Sequence, residues 1–71
     1  MNLTKSQFFW LGWVQRNGGV AHCAGGMVAA GKERSSNASA ISFLNLVCKG
    51  ALEAKDGQLI LTDYGRRLLT P

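Results

Sequence analysis

The spacing of apolar side chains divides the chain into a run of short elements. From Phe8 to Val14 the apolar positions follow a helical period of about 100° per residue, and Lys5, Gly12, Gln15 and Arg16 share one narrow polar face. Thr4 stands at the N-cap and Gln7 three positions on, the capping-box pattern, with Leu3 and Phe8 at the spacing of a hydrophobic staple. The helix is predicted to run to Arg16 or Asn17, where Gly18-Gly19 supplies a left-handed cap. Phe9, Trp10, Leu11, Trp13 and Val14 cover a wider arc than one small core uses. Either Phe9 and Trp13 are left for a partner chain, or later strands wrap the helix and cover them.

Residues 20–30 admit two readings. One is a short helix over Met27–Ala30; the other is a hairpin with Val20–Cys23 and Met27–Ala30 as strands around Ala24-Gly25-Gly26. Two glycines would cost a helix about 2 kcal/mol relative to alanine, whereas a hairpin loop uses them well, so the hairpin is favoured. Gly31 to Ser36 reads as a polar loop. An amphipathic helix over residues 37–49 follows, capped by Ser36 or Asn37 and ended by Gly50. Ala40, Ile41, Leu44, Val47 and Cys48 form its apolar face, with Ser42, Asn45 and Lys49 opposite. Residues 51–61 then give two strand-like runs around Asp56-Gly57, a dipeptide suited to a type I′ turn. Thr62 caps a short last helix that offers Tyr64, Leu68 and Leu69 to the interior. The expectation is a single α+β domain without repeats.

At 71 residues the chain is near the lower limit for a self-supporting core. Its net charge of +4 favours a polyanionic partner, nucleic acid before anionic membrane. Lys5 and the aromatic run after it only faintly imitate a signal peptide, and no apolar run approaches the roughly 20 residues of a membrane span. With two cysteines and no secretion signal, a cytoplasmic location with reduced thiols is expected.

His22, Cys23 and Cys48 are the soft ligands available, without the close pairs of a zinc site. As neighbours on a strand, His22 and Cys23 would point to opposite faces, and Cys48 reads as a small core residue. Glu33, Glu53, Asp56 and Asp63 form no paired constellation, and neither glycine pair has the context of a phosphate loop. No enzymatic activity, cofactor, metal or small-molecule substrate is expected.

The amphipathic helix, Gly50-Ala51-Leu52-Glu53, the Asp56-Gly57 hairpin and Leu61-Thr62-Asp63-Tyr64-Gly65-Arg66 together resemble the second half of winged-helix domains, over residues 36–69. The compact size also resembles small phage and prophage proteins. The resemblance implies a winged-helix-like fold in which the helix over 37–49 is the recognition helix and the hairpin over 51–61 the wing; a first hairpin at 20–30 would make it a two-hairpin variant. It also implies duplex DNA as partner and a small regulator of a mobile element as role. Ser35, Ser39, Ser42, Asn45 and Lys49 would then face the groove, with Lys55 on the wing and Lys32 and Arg34 on the approach loop. The competing expectation is a protein-interaction module that uses Phe9 and Trp13 for self-association or for gripping a host protein.

Overall fold

The computed structural model describes residues 3–24, 27–35 and 40–70. The elements in chain order are α1 (Lys5–Arg16), β1 (Val20–Ala24), β2 (Met27–Ala30), β3 (Glu33–Arg34), α2 (Ala40–Cys48), β4 (Leu52–Lys55), β5 (Gln58–Leu61) and α3 (Asp63–Leu69). The strands form one antiparallel sheet in the order β3-β2-β1-β5-β4. The α+β class expected from the sequence is therefore observed.

Local chemistry explains each boundary. The Gln7 amide donates to Thr4 Oγ1 at 3.2 Å and the Thr4 amide to Gln7 Oε1 at 3.1 Å, which completes the capping box of α1. At the other end, Gly19 donates to the Val14 carbonyl and Gly18, at φ +98°, to that of Gln15, a Schellman closure. Helix α2 ends the same way, with Ala51 donating to Leu46 and Gly50 to Val47. Its predicted first turn and the Ser36 or Asn37 cap lie outside the described residues.

The hairpin reading of residues 20–30 holds, since His22 pairs with Ala29 and Cys23 with Val28, but Ala24, expected in the loop, belongs to the strand and pairs with Met27; Gly25 and Gly26 lie outside the described residues. Asp56 and Gly57 adopt φ of 51° and 77°, the double positive φ that a type I′ turn requires. One strand departs from expectation: Glu33–Arg34, read as loop, pairs with β2 as an edge strand. Ser35 drives this. Its amide donates to the Val28 carbonyl at 2.7 Å, and its buried hydroxyl accepts from the Val28 amide at 2.9 Å. The side chain thus supplies the acceptor that a longer strand would have provided.

Alternation along the strands sorts the two faces of the sheet. Ala21, Val28, Ala30, Leu52, Leu59 and Leu61 are buried beneath the helices. Leu11, Val14, Phe43 and Leu46 complete the core from α1 and α2. On the outer face the register aligns Arg34, Ala29, His22, Gln58 and Lys55 in one rank across all five strands.

Helix α3 docks through its backbone. The Thr62 amide donates to the Ala51 carbonyl, and the Thr62 hydroxyl caps Gly65 at 3.0 Å while lying 2.7 Å from the Gly50 carbonyl oxygen. Gly65 is buried against Ala51, where any side chain would collide. The Leu61-Thr62-Asp63-Tyr64-Gly65 motif therefore has a packing reason of its own.

Candidate functional site

The structure disperses the residues assigned to duplex DNA. Arg34 and Lys55 occupy opposite edge strands, four strand spacings apart, or about 19 Å at roughly 4.8 Å per spacing. Lys32 lies in the exposed turn between β2 and β3. Ser35 is buried against Val28, a correction to its expected place at a groove surface. Ser39 lies outside the described residues.

Helix α2 is also turned differently from expectation. The side chains it buries are Phe43 and Leu46, not the stripe of Ala40, Ile41, Leu44 and Cys48. Ser42, Asn45 and Lys49, expected on the outside, are half-buried. Lys49 Nζ donates to Oε1 of the buried Gln7 at 2.6 Å and so ties that edge of α2 to α1. The cause is aromatic packing: Phe43 meets Trp10 and Trp13 at centroid distances of 5.4 and 5.9 Å. Trp13 is accordingly only 4% exposed, which corrects its assignment to a partner interface, and Phe43 of α2 packs on it where later strands were the expected cover.

What remains on the outside of α2 is apolar. Ile41 is 71% and Leu44 62% exposed, and Ala40 and Cys48 are exposed beside them. Cys48, expected in the core, thus belongs to this surface. An open groove of about 290 Å³ adjoins it, with Phe43, Leu44 and Val47 on the helix side and Cys23, Val28 and Leu59 on the sheet side. Cys23 faces this groove while its neighbour His22 lies in the rank on the outer face, as strand alternation requires.

A second exposed region lies on α1. Phe9 is 56% exposed, as one expectation held, and Phe8, read from the sequence only as the partner of Leu3 in a staple, is 46% exposed. Lys5 and Arg16 are exposed on the same side of the helix.

Fold and surface together define a small α+β domain with helices on one face of a five-stranded antiparallel sheet and an uncovered apolar helix face. Comparison with protein-family profiles, with characterised proteins and with solved structures finds no match. Among the described residues no helix is long and apolar enough to cross a membrane.

Proposed function

We propose that the chain is a non-enzymatic protein-interaction module that docks through the outer face of α2 and the groove beside it, and that the docked partner is a second copy of the chain. The observation that carries this reading is the exposure of Ile41 and Leu44 on a helix whose other large apolar side chains are already packed. Burying a large aliphatic side chain contributes about 1.5–3 kcal/mol. The exposed fractions of Ile41 and Leu44 then amount to about 2–4 kcal/mol per copy, counted twice across a two-fold axis.

The outer face of α2 offers no charge to a charged partner. Helix α2 has no charged residue between Ala40 and Cys48. The net charge of +4 lies elsewhere, so two like-charged copies meet most easily across this face. Spacing agrees: in an antiparallel crossing centred on Leu44, the exposed Ala40 of one copy comes beside the exposed Cys48 of the other.

The duplex-DNA role implied by the winged-helix resemblance has less support, because the exposed side of α2 is apolar and Lys55 lies far from Arg34 and Lys32. Sedimentation equilibrium from micromolar to millimolar concentration, under reducing conditions, tests the proposal. The expected result is a monomer–dimer equilibrium that Ile41→Glu abolishes with the circular dichroism spectrum unchanged. A wild-type chain that stays monomeric throughout, or a dimer indifferent to Ile41→Glu and Leu44→Glu, would overturn it.

A further inference from the structure

We infer that the outer face of α1, with the adjoining flank of α3, is a binding site for single-stranded nucleic acid. The inference rests on a different surface from the α2 interface and does not depend on it. Phe8 and Phe9 present two phenyl faces to solvent within one turn of α1. Lys5 precedes them by three and four positions, so it projects between them on the same side. Gly12 follows them at the same two spacings and leaves a notch in that surface. The Arg16 guanidinium folds back toward the notch, its Nη1 3.5 Å from where a Gly12 Cβ would stand, and Leu69 of α3 borders the other side. Arg66 lies one turn before Leu69, and both Arg66 and Arg67 are exposed.

The electrostatics of this surface are one-sided. Helix α1 contains no acid, and the one acid of α3, Asp63, makes only an exposed 3.9 Å contact with Arg66. Lys5 and Arg16 thus flank two accessible aromatic rings, and Arg66 stands on the same side of α3 as the Leu69 that borders the notch. Unpaired bases stack on such rings while the phosphates between them sit on lysine and arginine.

Duplex DNA fits less well, because its bases are already stacked and offer the phenyl rings no face. An anionic membrane also fits less well. Helices that lie on membranes separate a broad apolar face from a charged one. Here the core takes Leu11, Trp13 and Val14, and the two remaining phenyls are interleaved with the cations.

The test is fluorescence anisotropy with a labelled oligothymidylate, the same length of duplex, and phosphatidylserine vesicles followed by co-sedimentation. Phe9 meets Trp10 edge-on at 4.9 Å, so quenching of tryptophan emission gives a second readout at the site. The expected result is tighter binding of the single strand than of the duplex. Phe8→Ala and Phe9→Ala should each weaken single-strand binding about tenfold. Three phosphate contacts predict a log–log salt slope of about −2, falling in magnitude by more than one when Lys5 and Arg16 are both replaced by Glu. Absence of oligothymidylate binding at low salt would overturn the inference. So would equal binding of duplex with no effect of either Phe variant, which means charge alone, or binding confined to vesicles, which means a lipid surface. Both phenylalanines are exposed, and unchanged melting of each variant separates loss of binding from loss of fold.

Discussion

Replacing Gly65 with alanine tests how α3 is held. A Cβ built on Gly65 stands 2.9 Å from Leu61 Cδ1 and 3.1 Å from the Ala51 carbonyl carbon, and closer still to the Ala51 oxygen. The backbone of Ala51 cannot yield cheaply, because its carbonyl also accepts from the Thr62 amide and its own amide closes α2 through Leu46. Helix α3 must instead move outward by about an ångström, with an overpacking cost of about 1–3 kcal/mol. Lengthening the Thr62 cap adds about 1 kcal/mol. The better helix propensity of alanine returns about 1 kcal/mol. The net loss is about 1–3 kcal/mol, in a domain whose core supplies about 3–5 kcal/mol in all. At roughly 4–8 °C per kcal/mol for this size, the melting midpoint falls by about 5–20 °C. Gly12→Ala is the matched control. Its Cβ would meet Arg16 Nη1 at 3.5 Å and Leu69 Cδ2 at 3.9 Å, ordinary separations. Only the propensity gain then remains, and the midpoint rises by about 4–8 °C. Thermal melts followed by circular dichroism decide the matter. A Gly65→Ala variant that melts at or above the wild type would refute the docking of α3 on Ala51.

Two further substitutions probe single hydroxyls. Thr62→Val removes both the cap on Gly65 and the bond toward Gly50 and should cost about 1–2 kcal/mol in urea titrations, with faster hydrogen exchange at the Gly65 amide. Ser35→Ala leaves the buried Val28 amide without its acceptor and should cost about 1–3 kcal/mol, whereas Ser42→Ala, at a half-buried site, should stay within about 0.5 kcal/mol. Equal effects of the two serine substitutions would show that β3 does not depend on the Ser35 hydroxyl.

Elements written in local chemistry were legible in the sequence. Thr4 with Gln7, Gly18-Gly19, Gly50 and Asp56-Gly57 each act through bonds to near neighbours, and each sits where its chemistry predicts. The first hairpin was legible for the same reason, since the glycine pair made a helix expensive. Strand β3 was not. Glu33 and Arg34 carry no strand signal, and the hydroxyl that secures them acts on Val28, seven residues away in sequence. A polar residue that looks like a loop serine is here part of a ladder.

The orientation of α2 was hidden for a different reason, and that reason bears on function. Apolar side chains lie in almost every direction around this helix, so the period alone admits two stripes: Ile41, Leu44 and Cys48, or Phe43, Leu46 and Val47. Period cannot choose between them; the partners can. Trp10 and Trp13 present aromatic edges that only Phe43 can meet, and Lys49 reaches Gln7 only when the helix is turned that way. The size of Phe43 was the available clue, because a small core places its largest ring first. Once that stripe is committed inward, Ile41 and Leu44 become a surplus that the monomer cannot use. Replacing them with polar residues would leave the core intact and lower the risk of aggregation. An isolated domain therefore gains nothing from them, and their exposure beside an open apolar groove is what a second copy seated on α2 would explain.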